Sequence, residues 1–194
     1  MNACEGHTTN AVGSTSADFG EMSLAVMAND IEATHHAYLR QELPRLIALS
    51  GQVAAEQGKR NPQLPQICQI IVALAAELNS HMRKEEQVLF PMIRELETGR
   101  RLPAFHCGTL CNPIRQMVSE HDDACGALAQ LRELTDDFER PTGASDKFRT
   151  LVAALENLEQ DLQLHIEKEN RTLFPRALAL EEKRRLDSLI TSYR

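Results

Sequence analysis

His81-Met82-Arg83-Lys84-Glu85-Glu86-Gln87-Val88-Leu89-Phe90-Pro91 returns later in the chain as His165-Ile166-Glu167-Lys168-Glu169-Asn170-Arg171-Thr172-Leu173-Phe174-Pro175. His, Lys, Glu and the closing Leu-Phe-Pro keep the same offsets in both copies. On a helix, residues i and i+4 project from one face, so each copy presents an imidazole beside a carboxylate. A single His-x-x-x-Glu reads as a solvated pair on a charged helix face. Two copies in one shared frame read as two halves of a site. The frame extends backwards as well: His36 lies 45 residues before His81, and His121 lies 44 before His165. The chain therefore divides into two helical hairpins. Each gives one His from its first helix and a His plus a Glu from its second, and a pseudo-twofold arrangement brings all six side chains to one centre.

Apolar spacing supports four long helices. Leu24, Met27, Ile31, Leu39, Leu43, Leu46 and Ile47 mark the first, with Ser23 as N-cap and Pro44 placed to kink or split it. The second runs from about Gln66 through Leu74, Leu78, His81, Glu85 and Leu89 to Glu97, with a bend at Pro91. After a long loop over Gly99 to Pro113, the third covers about Asn112 to Glu139 through Met117, His121, Leu128 and Leu131. The fourth spans about Ser145 to Phe174, and a short fifth covers about Glu181 to Ser192. Strand signals are absent. The expected fold is all-α, an antiparallel four-helix bundle with a short C-terminal helix. Residues 1–22, rich in Ser, Thr, Gly and Asn, read as a mobile tail, and residues 23–194 as one domain.

Composition narrows the function classes. The 194 residues carry a formal charge of -7, two Tyr and no Trp, which argues against a nucleic-acid partner. No apolar run approaches the ~18–20 residues that cross a bilayer, and no secretory leader is visible, so the cytoplasm is expected. Five cysteines (Cys4, Cys68, Cys107, Cys111 and Cys125) form an odd, irregular set and read as reduced thiols, with Cys68 and Cys125 as buried helical residues. His106, Cys107 and Cys111 lack the spacing of a metal or redox motif. No phosphate-binding Gly-rich loop or nucleophile elbow is present.

Imidazole and carboxylate without thiolate suit iron, manganese or zinc. Iron is favoured, because a bridged pair with open positions does most when the metal changes oxidation state. The expected ligands are His36, His81, Glu85, His121, His165 and Glu169. His35 competes with His36: helical periodicity favours His35, whereas the repeat spacing favours His36. Glu32, one turn before His36, reads either as a support for that ring or as a solvated carboxylate.

At these residues the chain resembles the hemerythrin-like di-iron family, and within it the branch known for repair of iron centres. The likeness is carried by His36 to Pro44, His81 to Pro91, Met117 to Asp122 and His165 to Pro175, and covers about residues 24 to 180. It implies a four-helix bundle around two iron ions with an oxo or hydroxo bridge. His36, His81, His121 and His165 would be terminal ligands, and Glu85 and Glu169 bridging ones. Leu43-Pro44 also points to His36 as the family's ligand position. The resemblance further implies recovery of damaged iron–sulfur proteins, with nitric oxide, dioxygen or peroxide meeting the iron pair. Three features depart from the pattern. The tail offers Cys4 in place of a Cys-Cys-Gly-Gly motif. Glu56-Gln57 stands where some relatives carry a further His. The symmetric set of four His differs from the asymmetric five of oxygen carriers. Iron donation or nitric oxide removal is therefore expected, with binding or sensing without turnover, or reduction of nitric oxide or peroxide, as alternatives. Nothing in the sequence specifies an oligomeric state.

Overall fold

A computed structural model describes residues 16–99 and 108–192, with side chains from Phe19 to Ile190. Ten of its eleven helical segments join into four rods and the eleventh is a short N-terminal helix. These are α1 (Ser16–Glu21), α2 (Leu24–Ile31), π1 (Glu32–His36), α3 (Ala37–Gln57), α4 (Gln63–Lys84), π2 (Glu85–Leu89), α5 (Phe90–Thr98), α6 (Cys111–Leu134), α7 (Asp146–Lys168), π3 (Glu169–Leu173) and α8 (Phe174–Ser192). The described residues contain no strand, and no helix among them is long and apolar enough to cross a membrane.

The rods are α2–π1–α3, α4–π2–α5, α6 alone and α7–π3–α8. Successive rods run antiparallel, and α3 closes the ring by packing on α7 as well as on α4. Ser23 caps α2, its Oγ accepting from Val26 N–H at 3.3 Å. The Glu97 carboxylate accepts from Leu24 and Ala25 N–H at 2.8 and 2.9 Å, so the end of the second rod satisfies the start of the first. Ser145 caps α7 through Phe148 N–H at 3.2 Å.

Pro44 lies inside α3 without splitting it. Pro91 and Pro175 are each the second residue after a π turn, in which Phe90 and Phe174 N–H bond five residues back to Glu85 and Glu169 carbonyls. A proline ring strikes the carbonyl four residues before it in a regular helix, and the extra residue of a π turn moves that carbonyl away. The rods thus pass both prolines as unbroken helix. The gap expected between the fourth helix and a fifth one starting near Glu181 is likewise helical: α8 begins at Phe174.

The third rod ends at Leu134 rather than near Glu139, because Asp136, Asp137 and Phe138 take left-handed φ of 48°, 61° and 61°. Residues 1–15 of the expected tail lie outside the described residues. Its last part is helical, and Phe19 is buried to 1% exposure, with Arg176 Nη1 donating to the Gly20 carbonyl at 2.6 Å. Two apolar clusters fill the bundle. One gathers Leu39, Leu43, Leu46, Leu74, Leu131 and Leu155, the other Phe19, Ile31, Phe90, Ile93, Met117 and Phe174. The ligand candidates lie between them along every rod.

Candidate metal centre

All six expected ligands are buried, none more than 4% exposed, and all converge. Their donor atoms form two groups of four, each within 4.8 Å: His36, Glu85, His165 and Glu169 in one, His81, Glu85, His121 and Glu169 in the other. Both groups share the two carboxylates. Each draws one imidazole from each hairpin, as a pseudo-twofold requires. Three of the four rods reach the centre through a π turn: π1 ends at His36, while π2 and π3 open at Glu85 and Glu169. Such turns recur at functional sites because they turn a side chain out of helical register.

Glu85 Oε2 lies 3.2 Å from His36 Nε2 and 3.3 Å from His81 Nε2. Glu169 Oε2 lies 3.1 Å from His121 Nε2, and Oε1 lies 3.2 Å from His165 Nε2. The outer nitrogens of three rings decide the tautomers. His36 Nδ1 meets Glu86 at 2.7 Å, His81 Nδ1 meets Glu120 at 3.1 Å and His121 Nδ1 meets Asn170 Oδ1 at 3.1 Å. A carboxylate or amide oxygen only accepts, so in the neutral ring Nδ1 carries the proton and Nε2 is left to turn a lone pair inward. His81 and His121 face each other through these nitrogens at 3.2 Å.

Both oxygens of Glu85 and of Glu169, His36 Nε2 and both His165 nitrogens are buried without a hydrogen-bond partner. An uncompensated buried carboxylate costs several kcal/mol, about 20 in the idealised limit, and facing lone pairs repel. A cation between the donors removes both penalties, and oxygen with imidazole is a donor set that iron, manganese and zinc accept. The residues fit a pair of cations.

The electrostatics follow from the same crowding. Burial presses the His36 imidazole pKa down, but contacts with Glu85, Glu169 and Glu86 outweigh it and leave the group raised. The same contest, with Glu85, Glu169 and Glu120 opposing burial, carries His81 up to about 9. Burial wins at His165, which is lowered. Burial alone would raise the Glu169 carboxyl; His165 and His121 hold it well below the ordinary carboxylate range.

His35 is buried but belongs to neither donor group, and its Nδ1 bonds Asp161 at 2.9 Å. The donor groups include His36, the residue the repeat spacing favours, and leave out His35. Glu32 does not support His36; it pairs with Arg94 at 2.7 Å. Sequence reasoning missed Glu86, Glu120 and Asn170 as ring partners. A signal was available for the first and last, since each directly follows a repeated Glu. The two Phe of the Leu-Phe-Pro repeats are core residues as expected, and they also stack on ligand candidates, Phe90 on His36 and Phe174 on His121. Cys125 is exposed rather than buried, because His121, Ala124 and Leu128 take the inward stripe of α6. Cys68 is half-buried, Cys111 is exposed, and all three are free thiols. Cys4, His106 and Cys107 lie outside the described residues. Beside His81 and His121 a cleft of about 250 Å³ opens between α4 and α6, flanked by Lys84, Gln116 and Glu120.

The profile of the hemerythrin HHE cation binding domain matches residues 27–177. Iron-sulfur cluster repair protein YtfE of Edwardsiella ictaluri is 35% identical over 162 residues, covering 83% of this chain and 69% of that protein. Proteins of the same name from Enterobacter sp. (strain 638) and Salmonella newport are 33% and 34% identical over 164 and 165 residues, each covering 84% of this chain and 70% of theirs. A four-rod helical bundle, a doubled His-Glu centre and a match over most of its length place this chain in the hemerythrin HHE cation-binding family.

Proposed function

We propose that the chain is a non-haem di-iron protein of the cytoplasm that helps restore iron–sulfur clusters damaged by nitric oxide or peroxide, by giving up iron or removing nitric oxide. One observation carries the reading: two four-donor groups share Glu85 and Glu169, whose four oxygens are buried without partners. The similar proteins named for iron-sulfur cluster repair supply the biological context. His36 and His165 would hold one iron, His81 and His121 the other, and the two glutamates would bridge. When bound, an iron pair of this kind supplies a change of oxidation state and open positions for a small molecule.

The chain's own part is to hold and release. Glu86, Glu120 and Asn170 keep three imidazoles in the tautomer that turns Nε2 inward. The apolar clusters on either side exclude water from the centre. The cleft beside His81 and His121 provides an approach flanked by Lys84, Gln116 and Glu120. The rods are anchored outside the ligand layer, so loss of metal is expected to leave the helices in place.

Elemental analysis joined to Mössbauer spectroscopy on protein purified without added metal tests the centre, with two coupled irons per chain as the expected result. Mixing the loaded protein with an apo iron–sulfur protein then separates the roles. Iron transfer supports repair by donation, uptake of nitric oxide without turnover supports binding, and multiple turnovers with an electron donor support reduction. Absence of iron, or zinc bound elsewhere, would overturn the proposal.

A further inference from the structure

The pseudo-twofold pairs His36 with His121, His81 with His165, Glu86 with Asn170 and Phe90 with Phe174, and most of these pairs behave alike. In each hairpin the first-helix histidine is clamped by the second helix of the same hairpin. His36 has Glu86 on Nδ1 and Phe90 on its face, with ring centres 5.8 Å apart; His121 has Asn170 on Nδ1 and Phe174 on its face, at 6.2 Å.

The second-helix histidines differ. His81 Nδ1 meets Glu120, the residue just before His121, and Glu120 is itself held by Lys84 and by Gln116 Nε2 at 2.8 Å. The matching residue just before His36 is His35, which offers no carboxylate. It lies face to face with His165 instead, ring centres 5.3 Å apart and planes within 5°. Its Nδ1 is braced by Asp161, and His165 Nδ1 is left buried with no hydrogen-bond partner. Lys168, the counterpart of Lys84, turns to Asp30 at 2.8 Å.

We infer that His35, braced by Asp161, is a positioning residue for His165, and that its standing in place of a carboxylate makes the two cation positions unequal. The position formed by His81 and His121 is the tighter one, and that formed by His36 and His165 the weaker. This rests on the dinuclear reading above. A ligand imidazole that donates its outer N–H to an oxygen is fixed in tautomer and made a stronger donor. The first position has two imidazoles so supported; the second has only His36. Stacking on His35 fixes the plane of the His165 ring but leaves its tautomer and basicity unaided. Loss of one such partner weakens metal binding by about 10–100-fold.

Cobalt(II) titration of the metal-stripped full chain against a competing chelator tests the inference. Two binding steps separated by about 10-fold or more are expected. His35→Glu supplies the missing acceptor and should tighten the weaker step by about 10-fold while leaving the stronger one in place. His35→Ala should weaken only the weaker step, and Glu120→Ala the stronger. Nitrogen-15 shifts of the His165 ring in the metal-stripped protein give a readout that a purely structural role would not move: His35→Glu should draw the proton to Nδ1. Two equal steps in the unmutated chain, or a His35→Ala change that weakens both steps alike, would overturn the inference and leave the dinuclear reading standing. Uptake of fewer than two cobalt ions would overturn the dinuclear reading itself.

Discussion

Leu39, Leu74, Leu131 and Leu155 on one side, and Phe90, Ile93, Met117 and Phe174 on the other, pack carbon against carbon. The layer between them, on the same rods and equally buried, holds four imidazoles and two carboxylates whose oxygens have no partner. The apolar layers gain stability from burial, about 25 cal/mol per Å² of apolar surface removed from water. The ligand layer gains none of this and carries the cost of desolvated charge. The comparison teaches that the fold is held from outside the site, and that the site is a strained insert which a cation relieves.

The sharpest way to break this division is to remove a shared carboxylate. Glu85→Ala or Glu169→Ala should abolish binding of the cation pair, read by elemental analysis, while circular dichroism shows helicity kept. Leu155→Ala tests the other side. It should cost about 2–5 kcal/mol of stability and leave metal stoichiometry unchanged at room temperature.

Smaller effects sharpen the boundary. Asn170→Ala removes a ring partner and should weaken metal binding by about 10-fold with little change in melting temperature. In the metal-stripped chain, His81 has a pKa of about 9, above its ordinary value of 6.5. Its charged form therefore stabilises the fold fully below pH 6.5, and that contribution is lost as pH rises through about 9. Thermal melts with chelator present should fall over that window. In the loaded chain protons compete with the cation, so metal affinity should instead fall as pH drops. Ser145→Ala, far from the centre, should cost about 1 kcal/mol and nothing in metal affinity.

Much of this was legible in the residues, for physical reasons. The repeat singled out His81, Glu85, His165 and Glu169, which converge in the structure, because fixed offsets on two facing helices bring side chains to one place. The 45- and 44-residue spacings point to His36, which the donor groups include, and simple periodicity to His35, which they leave out. A π turn spans Glu32–His36, and Ile31, His35, His36 and Leu39 are all buried, so periodicity alone does not single out one histidine. The same device hid at Pro91, read as a bend, and at Pro175, just past the expected end of the fourth helix, although the rods pass both as helix. Glu86 and Asn170 escaped notice although each directly follows a repeated Glu. Glu120 and Asp161 obey no such offset; they are set by which rod lies opposite, and that emerges only when the hairpins pack. Phe19 was missed because a single aromatic in a polar stretch has no period to reveal it.

The two hairpins are also tied together outside the layer of ligand candidates. Both Glu181 oxygens accept from Leu110 N–H at 3.2 Å, and Arg184 donates to the Glu97 and Gly99 carbonyls at 3.0 and 2.5 Å. One turn of α8 thus grips the end of the first hairpin and the start of the second. The hairpins are therefore tied by more than covalent continuity. The two halves, made as separate polypeptides, are expected to associate and co-elute in size-exclusion chromatography, and a rise in that association on adding a divalent cation would make the pair a reporter of metal.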